Sequence, residues 1–85
     1  MANRWVPVPG MKVIWDLESE IRSAFPHAMR SMYGSDNLTV GEVIPVGDGY
    51  CATVLKDGEP IRHLSDGQWS AIRWVDWRYL KPRVR

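Results

Sequence analysis

Eighty-five residues with 45% apolar and 25% charged side chains fit one small globular domain and argue against wholesale disorder. The single cysteine, Cys51, excludes an intramolecular disulfide, so stability must come from packing or from a partner. Net charge is +1 but uneven: residues 1–72 carry six cations and nine acids, and residues 73–85 carry five cations and one acid.

No apolar run approaches the ~20 residues needed to span a bilayer, and the first ten residues, MANRWVPVPG, lack a charged-then-apolar leader pattern. The expectation is a soluble, cytoplasmic chain without membrane contact, organised as one domain over residues 1–85. Five tryptophans exceed what a minimal core needs, since each buried ring removes roughly 150–250 Å² from water. The surplus hints at an aromatic surface.

In chain order, Pro7 and Pro9 hold the residues before them extended, so VPVPG is a stiff lead-in. MKVIW (residues 11–15) is rich in β-formers and bounded by Gly10 and Asp16, which predicts a strand. Leu17, Ile21, Ala24, Phe25, Ala28, Met29 and Met32 then form an apolar stripe at the helical period. Asp16 is the expected N-cap, Glu18 and Glu20 suit the positive end of the dipole, and Glu18 can pair with Arg22. Pro26 inside that stripe would cost about 3 kcal/mol. It predicts a helix of about two turns ending near Phe25, then a kink or a second short turn opened by Pro26. Gly34 is the expected terminator.

From Leu38 onward the pattern becomes β. LTVGEVIPV (residues 38–46) predicts a strand with a bulge at Gly41 and an edge at Pro45. Gly47-Asp48-Gly49 is a tight turn, YCATVLK (residues 50–56) a strand, and Asp57-Gly58 a hairpin signal. EPIRHL is a weak strand, Ser65-Asp66-Gly67 a turn, and QWSAIRWV (residues 68–75) a further strand. Turn signals about nine residues apart fit a small antiparallel meander that curls into a barrel.

Two segments carry a family resemblance. Asp36-Asn37-Leu38-Thr39-Val40, with Glu42-Val43-Ile44 and Gly47-Asp48-Gly49-Tyr50, is similar to the stretch where SH3-like domains leave their first long loop and build the central hairpin. Trp74-Val75-Asp76-Trp77-Arg78-Tyr79-Leu80 resembles their closing stretch, where a strand passes through a one-turn 3₁₀ helix. The resemblance spans about residues 10–84. It implies a mainly β fold, a small SH3-like antiparallel barrel with one helical insertion in the first long loop, at about residues 17–32. Asp76 stands where the family has a proline, and Tyr50 or Cys51 where it has an exposed tryptophan. The amphipathic segment replaces the acidic loop that reads proline-rich ligands. Proline-rich recognition is therefore not carried over, and Tyr79 with its neighbour Trp77 match the family's groove aromatics.

Catalytic and metal constellations are missing from the sequence. His27 and His63 are far apart, with no CxxC, HxxxH or HExxH pair, so neither metal nor cofactor is expected. Cys51 alternates with its neighbours as a strand residue and has no cationic or helix-terminal setting to activate a thiolate. Asp36, Asp48, Asp57 and Asp66 sit beside Gly, Ser or Asn, where turn chemistry explains them. Gly47-x-Gly49 lacks the third glycine of a phosphate loop. A non-enzyme is the expectation.

The basic, aromatic end remains. On a continuous strand over residues 68–77, Trp69, Ala71, Arg73, Val75 and Trp77 share one face and Ser70, Ile72, Trp74 and Asp76 the other. Each face holds a ring, so the strand is covered on both sides or at least one tryptophan is exposed. Candidate binding residues are Trp77, Arg78, Tyr79, Trp74, Arg73 and Lys81, because Trp, Tyr and Arg dominate interface hot spots. The plain alternative is a closing strand with core rings and solvated cations. The first functional reading is a small binding module acting through protein–protein contact, a stand-alone adaptor or a phage-type modulator of a larger host complex. The second is nucleic-acid association through Arg73, Arg78, Lys81, Arg83 and Arg85, with rings stacking bases. A third is a subunit that folds fully only within a homo-oligomer.

Overall fold

A computed structural model describes residues 5–19 and 23–83. The chain is mainly β, with antiparallel pairing throughout and one α-helix among the described residues. In chain order these are β1 (Val13–Trp15), α1 (Phe25–Tyr33), β2 (Leu38–Val46), β3 (Gly49–Lys56), β4 (Glu59–Pro60), β5 (Arg62–Ser65), β6 (Gln68–Ala71) and β7 (Val75–Asp76). A one-turn 3₁₀ helix (Trp77–Tyr79) and β8 (Leu80–Pro82) follow.

The longest pairing is the β2–β3 hairpin. Its register slips between Val40 and Val43, so Gly41 and Glu42 oppose Thr53 alone, the bulge expected at Gly41. β1 pairs with β8, and the lead-in reaches β2 through Gly10 N–H to the Val40 carbonyl at 2.7 Å and Val40 N–H to the Met11 carbonyl at 2.9 Å. The three sheets are not joined edge to edge into a closed barrel.

The second edge of β3 is shared. Leu55 and Lys56 pair with β4, Ile61 N–H donates to the Val54 carbonyl at 3.4 Å, and Cys51 and Ala52 pair with β7. β4 and β7 thus act as two halves of one interrupted strand. Between them the chain leaves the sheet as the β5–β6 hairpin, whose base is closed by Ile72 N–H on the Ile61 carbonyl at 3.0 Å. The continuous strand expected over residues 68–75 is therefore corrected: it ends at Ala71 and restarts at Val75. Rings on both of its faces could not all be covered by one sheet, and the break resolves the conflict. Val75 is buried, Trp74 is half-buried, and Trp69 is 55% exposed.

The helix also differs from expectation. It starts at Phe25 instead of ending there, and Pro26 lies in its first turn, where a missing N–H costs nothing. Ser23 Oγ accepts from Phe25 N–H at 3.1 Å. Asp16, the expected N-cap, instead folds a local turn, accepting Glu18 N–H on Oδ1 at 3.0 Å. Glu20, Ile21 and Arg22 lie outside the described residues. Gly34 ends the helix as expected, at φ 69° with its N–H on the Arg30 carbonyl. The buried face is Pro26 and Met29, whereas Ala28 and Met32 of the expected stripe are exposed.

One apolar cluster unites these parts: Val13, Trp15, Met29, Leu38, Val40, Ala52, Val54, Ile61, Val75 and Leu80. Period-2 alternation supplies Val13/Trp15, Leu38/Val40 and Ala52/Val54 from their strands. Among the described residues no helix is long and apolar enough to cross a membrane.

Candidate functional site

The register of β3 with β7 places Cys51 opposite Asp76, and the 3₁₀ turn starts there. Asp76 has φ −62°, the value a proline would fix, and adds what proline lacks: its Oδ1 accepts Arg78 N–H at 2.9 Å. The Arg78 side chain folds back on the same carboxylate, Nε to Oδ1 at 3.1 Å and Nη2 to Oδ2 at 2.9 Å. Two parallel bonds make this a rigid fork instead of a loose surface pair.

Burial would raise the Asp76 carboxyl, but the side-chain and backbone hydrogen bonds from Arg78 and its positive charge together hold it below the usual carboxylate value. A carboxyl lowered on folding stabilises the fold above its unfolded value of about 3.9 and loses that contribution as pH falls through the lowered value. Asp76→Asn is therefore expected to lower the thermal midpoint at neutral pH. The difference from wild type should shrink as pH falls through the lowered value. Midpoints that stay equally separated at every pH would show that the carboxylate charge has no part in it.

Trp77 is held from three sides. Its Nε1–H donates to the Trp5 carbonyl at 3.1 Å, and Tyr50 meets it edge-on at 5.9 Å. The Arg78 guanidinium lies 5.6 Å from its ring centre. Beneath it lies Gly49, the buried first residue of β3, where an added Cβ would fall 1.9 Å from Trp77 Cζ3. The ring thus rests on backbone. Beside it opens a cleft of about 310 Å³, lined by Val46, Gly47, Asp48, Gly49, Tyr50, Cys51, Asp76, Trp77 and Arg78.

The sequence-derived candidates do not converge on one surface. Trp77 and Arg78 line this cleft. Tyr79 packs on Phe25 of the helix at 5.1 Å between ring centres, and its carbonyl accepts Asp16 N–H at 2.8 Å. Arg73 stacks on Trp74, 5.4 Å from the ring centre, in the return from the hairpin. Lys81 pairs with Ile14 on β8 and lines a second cleft of about 410 Å³ with Leu17, Glu18 and Arg30. Arg83 approaches Asp36 at 3.9 Å, and Arg85 lies outside the described residues. Val46, Asp48, Gly49 and the Trp5 carbonyl are cleft or support residues that were not among the binding candidates of the sequence. Asp48 and Gly49 lie in the run GDGY, which reads as an ordinary turn, and Val46 and Trp5 had no local signal.

Burial pushes the Cys51 thiol up, Asp76 adds to the rise and Arg78 opposes it. The protonated thiol therefore predominates at neutral pH, unlike an activated nucleophile. Among the described residues no group of three His, Cys, Asp or Glu side chains is placed to hold a metal ion. The chain matches no protein-family model, no curated protein and no solved structure.

Proposed function

We propose that this chain is a small, non-enzymatic binding module of SH3-like organisation that acts through protein–protein contact, in the manner of a phage-type modulator of a larger host complex. The SH3-like reading draws on strand order: β1 beside β8, the central β2–β3 hairpin, and a one-turn 3₁₀ helix joining the last two strands. On this reading the helix fills the first long loop, and the β5–β6 hairpin is extruded from the fourth strand.

The observation that carries the binding reading is the pre-positioned ring of Trp77. A side chain already fixed by Gly49, Tyr50 and the Trp5 carbonyl loses little further freedom when a ligand packs on it. Among the described residues the cleft's one cation, Arg78, is engaged by Asp76, which leaves the exposed Asp48 carboxylate at its rim. The expected occupant is an extended segment of a partner protein, with an apolar side chain against Tyr50 and Trp77 and a cation near Asp48. The same engagement of Arg78 counts against nucleic acid, as does the stacking of the Arg73 guanidinium on its neighbour Trp74.

The test is to select linear peptides from a displayed random library and titrate the best into isotope-labelled protein. Shifts of the Trp77 indole N–H, Tyr50 and Val46 are expected. Val46→Glu should abolish binding without unfolding the chain, because Val46 is 51% exposed. Affinity should change little between about 50 mM and about 500 mM salt. Shifts confined to Arg73, Lys81 and Arg83, or binding of single-stranded DNA with a steep salt dependence, would replace this reading with the nucleic-acid one.

A further inference from the structure

The β5–β6 hairpin pairs with no other strand among the described residues. Its turn residues Asp66 and Gly67 have φ 52° and 77°, a type I′ loop in which Ser65 and Gln68 form the hydrogen-bonded pair. Hydrogen-bonded and non-hydrogen-bonded pairs alternate along an antiparallel ladder. Leu64–Trp69 and Arg62–Ala71 are therefore non-hydrogen-bonded pairs, and the N–H and C=O of Leu64 and Arg62 point away from β6. Arg62 shows this directly. Its N–H donates to the Tyr33 hydroxyl at 2.7 Å, and its carbonyl accepts from the same hydroxyl at 3.0 Å. Among the described residues Tyr33 closes the edge at Arg62 and nothing bonds the outward groups of Leu64.

The exposed side chains repeat the point. Leu64 and Trp69 lie opposite each other on one face, 48% and 55% exposed. A two-stranded hairpin with a bare apolar pair and an open edge is marginal in water.

We infer that β5 pairs with β5 of a second copy of this chain, antiparallel and centred on Leu64. In that register the two Leu64 residues exchange N–H···O bonds. Backbone pairing stops at Arg62, whose edge Tyr33 closes, and the Arg62 side chain of each copy extends toward the turn of the other, where Asp66 carries the opposite charge. Trp69, Leu64 and their two counterparts form one apolar row across four strands. Tyr33 prevents the pairing from sliding past Arg62, which leaves the centred register. The two-fold relation needs no second surface and closes the assembly at two. The proposal is independent of the Trp77 cleft, which belongs to other strands.

Disulfide trapping tests it. A hydrogen-bonded antiparallel pair has its Cα atoms about 5.5 Å apart, within the range of about 4.4–6.8 Å that a disulfide spans. In a Cys51→Ala background, Leu64→Cys should form a covalent dimer under mild oxidation far faster than His63→Cys, whose side chain leaves the opposite face. Leu64→Pro should be monomeric in sedimentation with an unchanged thermal midpoint, because that N–H is not used within the hairpin. Arg62→Glu should weaken association at least several-fold. Wild-type protein that sediments as a monomer at about 1 mM, or Leu64→Cys that cross-links no faster than His63→Cys, would overturn the inference. If Leu64→Pro unfolds, the cross-linking rates decide alone.

Discussion

Gly49→Ala is expected to cost about 3 kcal/mol, at the upper end of what overpacking does, and to lower the thermal midpoint by about 12–24 °C in a domain of this size. The backbone φ at Gly49 is ordinary, so the cause is space alone. The new methyl would meet Trp77 Cζ3 at 1.9 Å, and neither side can yield cheaply. Gly49 is fixed by its pairing with Val46, and the ring by the Trp5 carbonyl and Tyr50. Urea unfolding of a double-mutant cycle with Trp77→Leu checks the mechanism. The pair should show a coupling of about 2 kcal/mol, because the smaller side chain makes room for the methyl. A cost below about 1 kcal/mol for Gly49→Ala would mean that the ring does not rest there. The same support makes Trp77→Ala an unsuitable probe of binding alone, since it would empty part of the packing as well as the cleft.

Trp15→Ala is expected to cost about 3–5 kcal/mol, a large share of the roughly 5–15 kcal/mol that holds a domain together. Trp15 is 2% exposed, meets Phe25 edge-on at 6.0 Å, and donates from Nε1 to the Gly34 carbonyl at 3.0 Å. It joins β1 to both ends of the helix. Trp15→Phe keeps most of the packing and loses the bond to the helix cap. It should cost about 1–2 kcal/mol and leave faster amide exchange confined to the helix. If Trp15→Phe proves as damaging as Trp15→Ala, the hydrogen bond outweighs the packing.

The hairpins were legible because their causes are local. Asp57-Gly58 and Asp66-Gly67 demand positive φ at both turn positions, and both pairs have it. Gly34 as helix end and the bulge at Gly41 are likewise written in a few adjacent residues, whereas the 3₁₀ turn at Trp77 was expected from the resemblance of residues 74–80. The helix start was not. An apolar stripe from Leu17 to Met32 gives the period but not the boundary, and Pro26 suits a first turn as well as a break. The candidate site was legible only in part. Trp77 and Arg78 were identifiable by type, whereas Tyr79 on the same short turn faces Phe25, because successive residues of a one-turn helix point in different directions.

The sequence by itself determined a small chain rich in β-hairpins, with turns near residues 48, 57 and 66, since short-range backbone preferences suffice for each; the 3₁₀ turn before the last strand was expected only from the family resemblance of residues 74–80. Only the tertiary structure decided which tryptophans are covered. Trp15, Trp69 and Trp77 have the same chemistry in sequence; one is in the core, one stands bare on a hairpin, and one rests on the glycine of a strand 28 residues earlier in the chain. Burial depends on what long-range pairing brings alongside, and the decisive pairing is β3 with β4 and β7, which covers Val75, releases the hairpin carrying Trp69, and sets Trp77 on Gly49.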